Sequence, residues 1–493
     1  MVSLDLTLPG QEGLPPGVQK VPTVPGSTKM WTTLTWILVH IATATRPSSS
    51  VLPEYPCNID RVDGSTLTSS DFATTFLHKR PVLLYNLPQQ SQEFTNKMSR
   101  TQLRKSQAMV LVGSASSRLD SYTEGTNQTL STFLKSLDRR KRPKKHCASV
   151  YDEHFFKNRP DLVSDFQVWD MLSGSSLGAV AGRSGSMLES NCSMILSVGG
   201  TPSGLTFHQK GDSVLLLLEG KKRWFLYSEE AHYGGVPGGF RDDTCGSEWA
   251  EEVLPTLNST LLPMQCVQEP GEVMYVPQAW WHATTNIDVL PTIGVGLEES
   301  FPSFLSSLPV KSPLRMLTRG EELLMQDDVD AAIVLYEEGV FLHPLYHPMW
   351  NNLGAARLMK DRHTEKAVDS AMGAFFNATQ ANKRYKRGWL ALGRVLMGDT
   401  GGKSAISTTL AKQKGGVKAL LQAARLATNV KEKESLYQTV REIEEDLDLE
   451  EEENDDDEVE EKEKEKEKEK EKEKEKEKEK EKEKEKEKGK GDL

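Results

Sequence analysis

Four short apolar runs, each bounded by glycine or proline, most constrain what the middle of this chain can fold into. Ser213–Gly220 (SVLLLLEG), Lys222–Tyr227 (KRWFLY), Gly271–Pro277 (GEVMYVP) and Pro291–Gly296 (PTIGVG) are rich in Val, Leu and aromatic residues. Short strands with such turn punctuation predict an all-β sandwich or barrel core. Upstream, Thr68–Arg80 (TSSDFATTFLHKR) and Thr129–Arg140 (TLSTFLKSLDRR) have helical spacing, each opened by Thr or Ser as a plausible N-cap.

After Pro313 the apolar period becomes helical and a repeat emerges. With Met316 at the fourth position of a 34-residue helix-turn-helix unit, Gly320, Ala332, Tyr336 and Pro344 fall on the small, small, aromatic and proline positions of the tetratricopeptide pattern. Trp350-x-x-Leu353-Gly354 begins a second unit 34 residues after Met316, and Trp389-x-x-Leu392-Gly393 a third 39 residues later. Trp and Leu would pack one helix on its partner, while Gly and Ala let the two approach closely. A loop near residues 398–416 is expected to interrupt the third unit.

The 493 residues carry 72 acids and 61 bases, a net charge of -11. Residues 442–460 hold 14 acids and no base, and residues 461–493 hold 15 of each sign, which leaves residues 1–441 at +3. A near-neutral body lacks the concentrated basic surface that phosphate binding needs, so no nucleic-acid partner is expected. The basic cluster Arg139–Lys145 reads as a solvated loop. Residues 461–488, fourteen Glu-Lys dipeptides without an apolar face, read as a disordered, solvated polyampholyte.

Residues 31–44 (WTTLTWILVHIATA), preceded by Lys29 and ending Ala42-x-Ala44, have the size of a signal-peptide core and are short for a bilayer span. Met30 would start such a signal conventionally. Sequons at Asn127, Asn191, Asn258 and Asn377 are compatible with the secretory pathway. The terminal Lys-Gly-Asp-Leu departs in its middle from an endoplasmic-reticulum retrieval signal. Together these predict the endoplasmic-reticulum lumen or secretory pathway, with no stable membrane span. Five cysteines without a C-x-x-C pair exclude a disulfide-built scaffold and allow up to two pairs and one leftover thiol.

Chemistry concentrates between Gly204 and Asn286. His208 and His282 lie 74 residues apart, flanking the strand-like runs, and two histidines from different strands of one barrel can converge on a metal. An acid two residues after the first would complete the two-histidine, one-carboxylate triad of non-haem iron. That position holds Lys210, a cation. Asp212 could share the His208 face by parity, but it sits about 7 Å farther along the strand. No phosphate-binding G-x-x-x-x-G-K-[ST] loop occurs, and the GRSGS string at Gly182 lacks the strand-turn-helix context of a nucleophile elbow.

These strings resemble the jumonji C group of the cupin superfamily, and within it a lumenal branch. The resemblance runs from about Cys57 to Gly296. It rests on the RPVLLYNL strand from Arg80, the Gly-Lys-Lys-Arg-aromatic strand from Gly220, the G-E-V-x-Y-x-P segment at Gly271–Pro277, and Trp280-Trp281-His282. It implies a double-stranded β-helix (jelly-roll) barrel with flanking helices; the all-α repeat domain and the disordered tail read above follow it in the chain. The expected boundaries are 1–45 for the extension and signal-like segment, 55–305 for the barrel domain, 313–440 for the repeats and 441–493 for the tail. It also implies His208 as the first iron ligand, His282 as the last, and Lys222 as the lysine facing the distal carboxylate of 2-oxoglutarate. Fe(II) and 2-oxoglutarate are the cofactors of that group. Lys210 stands against them here, so no catalytic residue is assigned. A non-catalytic lumenal protein that binds a protein partner through its repeats is the leading expectation. A secretory-pathway hydroxylase dependent on Fe(II) and 2-oxoglutarate is the alternative. An adaptor or chaperone acting through the repeats and the acidic block is a third reading.

Overall fold

Twelve strands build the core of the computed structural model, which describes residues 55–115, 122–137, 147–173, 175–179, 192–299, 303–399, 409–427, 429–445 and 447. They are β1 Asp60–Asp63, β2 Val82–Tyr85, β3 Met109–Ala115, β4 Tyr122–Thr129, β5 Ser149–Asp152, β6 Cys192–Gly199, β7 Ser213–Glu219, β8 Lys222–Tyr227, β9 Met264–Gln268, β10 Val273–Val276, β11 Trp281–Asn286 and β12 Thr292–Glu299. Residues 1–54 with their signal-like segment, the Arg139–Lys145 cluster, Asn191, the Gly182 string and the Glu-Lys tail lie outside the described residues.

Nine strands form one sheet in the order β1-β2-β10-β7-β12-β6-β5-β3-β4, and three form a second in the order β11-β8-β9. Pairing is antiparallel except between β1 and β2. The near-continuous apolar run of β7 follows from burial of both sheet faces. Leu215, with Leu83 and Met274, packs across to Trp224 and Leu226 of the small sheet, forming the core between the sheets. Val214 and Leu216, with Leu84, Val273 and Tyr275, turn the other way into a core shared with Phe72, Phe94 and Phe133 of the N-terminal helices. Of these helices, α1 (Ser69–Thr75) is capped by Thr68, whose side chain accepts from the Asp71 N–H. The start of α2 (Leu130–Leu137) is capped by Thr129, which accepts from the Thr132 N–H. Both caps are those expected from the sequence.

The outer face of the small sheet is also covered. Phe225, Tyr227, Trp281 and Ala283 point away from the barrel into a core with Trp249 of α3 (Gly246–Glu252). Met316, Tyr336, Tyr346 and Met349 of the helical region join the same core. That region contains α4 (Pro313–Met325), α5 (Val329–Leu342), α6 (His347–Lys360), α7 (Glu365–Ala381), α8 (Lys386–Leu396) and α9 (Leu410–Leu426). A further helix covers residues 430–445.

Close packing recurs at the expected small positions. A Cβ on Gly320 would lie 2.2 Å from the Tyr336 ring, one on Gly354 would lie 2.8 Å from Phe375, and one on Gly393 would lie 2.8 Å from Leu420. Trp350 Nε1 donates to the Pro344 carbonyl and Trp389 Nε1 to the Lys383 carbonyl, both at 2.9 Å and both six residues back. The loop expected through residue 416 is a helix from Leu410 onward. Thr409 caps it, and Gly416 serves close approach rather than a turn, since a Cβ there would meet Met397 Sδ at 2.8 Å.

Two disulfides, Cys57–Cys266 and Cys147–Cys245, tie the barrel, and Cys192 is a buried thiol. Among the described residues no helix is long and apolar enough to cross a membrane.

Candidate functional site

The site is built on the inward face of the small sheet. In the β8–β11 register His282 lies opposite Leu226, Thr284 opposite Trp224 and Asn286 opposite Lys222. Because Trp224 and Leu226 face the core between the sheets, these partners face it too. His208 precedes β7 and bridges to His282 through two backbone hydrogen bonds, 3.1 Å and 3.0 Å. The two histidines predicted from the sequence therefore come together, with ring centroids 4.0 Å apart.

Both rings are anchored alike. The His208 Nδ1–H donates to the Thr206 carbonyl at 2.8 Å, and the His282 Nδ1–H donates to the Trp280 carbonyl at 3.0 Å. A carbonyl can only accept, so each Nδ1 carries the proton and each Nε2 holds a lone pair. His208 Nε2 is buried and finds no hydrogen-bond partner among the described residues. Burial holds both imidazoles neutral. His208 is driven well below its ordinary value by burial, then by the nearby His282 and Lys210. His282 is lowered to about 4 by burial, with Lys210 adding to the effect.

Lys222 lies within the barrel, 4% exposed, and donates from Nζ to Asn286 Oδ1 at 3.0 Å. Burial lowers its amine to about 8. Lys210 is also held inside. Its ammonium pairs with Glu298 Oε1 at 2.6 Å, and its Nζ lies 4.5 Å from the centroid of the Tyr151 ring. Tyr151 in turn donates its hydroxyl to Glu298 Oε2 at 3.0 Å. Burial raises the Glu298 carboxyl above its ordinary range even beside this cation.

Asp212 does not join the histidines. Its carboxylate accepts from the Tyr275 hydroxyl and from the Gln278 N–H, and pairs with His78 Nδ1. Parity fails because the His208–Lys210 segment is not continuous with β7. Between them Gly211 runs so close to Glu299 and Phe304 that a Cβ would come within 2.9 Å of each, and Asp212 turns outward with Val214. The hydrogen bond to Asp212 raises the His78 imidazole.

Glu298, Tyr151 and Asn286 were not singled out from the sequence. A signal for Glu298 existed in the alternation along β12, where Ile293, Val295 and Leu297 belong to the outer core and Gly294, Gly296 and Glu298 alternate with them. Nothing local pointed to Tyr151 or Asn286.

The iron that the resemblance implies does not fit this donor set. Two imidazole Nε2 atoms are presented, but the third position carries an ammonium already paired with the nearby acid. Among the described residues no group of three or more His, Cys, Asp or Glu side chains is placed to hold a metal ion.

No family model matches the chain. JmjC domain-containing protein 8 of Mus musculus is 27% identical over 244 residues, covering 49% of this chain and 82% of that protein. Its Homo sapiens counterpart is 26% identical over 242 residues, covering 48% and 83%. The solved structure of YcfD, a ribosomal oxygenase from Escherichia coli, aligns with a TM-score of 0.27 and 13% identity over 53% of this chain and 57% of the YcfD chain. By its homology to JmjC domain-containing protein 8, this chain carries a jumonji C domain of the cupin superfamily.

Proposed function

We propose that this chain is a lumenal jumonji C-like protein whose degenerate iron site leaves it a binding or regulatory role, with the helical region acting as a tetratricopeptide-like platform for a protein partner. The observation that carries the reading is Lys210, ion-paired within the barrel where the triad needs a carboxylate. The recurring Gly320, Gly354 and Gly393 contacts and the matched Trp350 and Trp389 closures support the repeat assignment. Two disulfides support an oxidising compartment. Asn127 and Asn258 are exposed and can accept glycans there. Full-length protein supplied anaerobically with Fe(II) and 2-oxoglutarate, then exposed to oxygen, should release no succinate above the level of His282→Ala. Wild-type turnover that His282→Ala abolishes would overturn the reading.

A specific observation favours a second reading, a secretory-pathway hydroxylase dependent on Fe(II) and 2-oxoglutarate. Both imidazoles present Nε2 to the barrel, and Lys222 lies inside it with a neutral amide as its one hydrogen-bond partner among the described residues. The same assay decides between the two.

A further inference from the structure

We infer that the Lys210 ammonium, seated on Glu298 and Tyr151, is the resident cation of this barrel and closes the histidine pair to divalent metal. The inference deepens the non-catalytic reading and rests on it.

Lys210 follows His208 by two residues, and its backbone is fixed where it stands, because the Lys210 carbonyl accepts the Ala279 N–H at 2.7 Å. Ala279 lies three residues before His282, so this bond ties the lysine to the turn leading into β11. The side chain is 16% exposed and ends 2.6 Å from a carboxylate that is itself 8% exposed. A buried ammonium needs a counter-charge and satisfied donors. Here the counter-charge is Glu298 Oε1, and the Tyr151 ring, 4.5 Å away, receives the cation on its face. The second carboxylate oxygen, Glu298 Oε2, is used by the Tyr151 hydroxyl at 3.0 Å.

The three side chains come from separate parts of the chain: Tyr151 from β5, Lys210 from the segment before β7 and Glu298 from β12. The register puts two of them on one face of the large sheet. Tyr151 lies opposite Ser197 of β6 and Ser197 opposite Gly294 of β12; Glu298, four residues along β12 from Gly294, shares that face, and the Tyr151 and Glu298 side chains span the offset to meet. A lysine that merely replaced a lost ligand could have left the barrel for solvent. This one has a built seat. Lys210 and Glu298 neutralise each other, so the place of a metal and its carboxylate ligand is taken by an ammonium and its carboxylate. A divalent cation at the Nε2 atoms would face a like charge and find only two donors.

The test is an anaerobic Co(II) titration of the full chain, read by visible d–d absorption. Wild type should show no bands that depend on His282. Lys210→Asp should gain them, and adding His282→Ala should remove them again. Bands in wild type that His282→Ala abolishes would overturn the inference. So would their absence in a Lys210→Asp protein with wild-type near-ultraviolet circular dichroism. If Lys210→Asp does not fold, Lys210→Met keeps the length without the charge and should show His282-dependent bands that wild type lacks; their absence from a folded Lys210→Met protein would count against the inference. The two readings fail separately. Metal binding by wild type without succinate release overturns only the resident-cation inference, whereas oxoglutarate turnover overturns the non-catalytic reading.

Discussion

Replacing Asn382 by alanine removes a side chain that holds the barrel to the helical region. Asn382 follows α7 and is 2% exposed. Its Oδ1 accepts from the Phe240 N–H at 3.2 Å, and its Nδ2 donates to the Phe240 carbonyl at 2.9 Å, as a neighbouring strand would. The same Oδ1 accepts from the Arg384 N–H at 3.0 Å. Alanine would leave both backbone groups of Phe240 buried without partners. Each such group costs about 1–3 kcal/mol, so the loss should be about 2–6 kcal/mol. Asn382→Asp keeps the acceptor but sets an anionic oxygen against the Phe240 carbonyl, and it should cost at least as much as alanine. Urea denaturation followed by tryptophan fluorescence and far-ultraviolet circular dichroism reads both the size of the change and its cooperativity. Trp281 reports the joint and the helices report the circular dichroism, so the two signals should move together. A change below about 0.5 kcal/mol, typical of a surface substitution, would refute the reasoning. Separate transitions with only the helical one displaced would do so as well.

Glu229 offers a pH test. Its carboxylate accepts from the Ser312 hydroxyl and the Leu314 N–H at the start of α4, and burial raises it to about 7 from an ordinary 4.5. A folded-state value above the unfolded one gives stability that is present in full below about pH 4.5 and lost as pH rises through 7. Glu229→Gln should therefore gain about 2–3 kcal/mol on wild type between pH 5 and 8 in thermal melts, and a constant difference across that range would contradict the assignment. Gly320→Ala raises helix propensity by about 1 kcal/mol. It also drives a Cβ into the fully buried Tyr336 ring, so a net loss of about 1–3 kcal/mol is expected, and a higher melting temperature would show that the helices can separate freely. Reducing Cys57–Cys266, which closes 209 residues of chain, should lower stability by up to about 5 kcal/mol, measured as the melting shift of Cys57→Ser against wild type. No shift would mean that the unfolded chain is not constrained there.

Much of the site could be read from the sequence because its pieces are local. Turn-bounded runs gave the strands, Thr68 and Thr129 gave helix starts, and the position two residues after His208 exposed the unusual cation. The partners of that cation were hidden. Glu298 lies 88 residues from Lys210, and only the register of β12 turns it inward. Asp212 shows where the parity argument ends, since parity holds only along an unbroken strand and Gly211 breaks this one. In the helical region, Gly416 looks like a loop residue until Met397 is placed against it. The single core joining Trp281 to Tyr336 and Met349 depends on a face that no short run of sequence marks.

That core also limits how the protein can be divided. A fragment stopping at residue 312 would present Phe225, Tyr227, Trp281 and Ala283 to water as one apolar sheet face, and a fragment starting at residue 313 would uncover the opposing Tyr346 and Met349. Each surface is of the kind that drives self-association. Loss of binding after such a cut would therefore report aggregation as readily as loss of a partner site, and point substitutions in the intact chain are the cleaner way to assign function to either half.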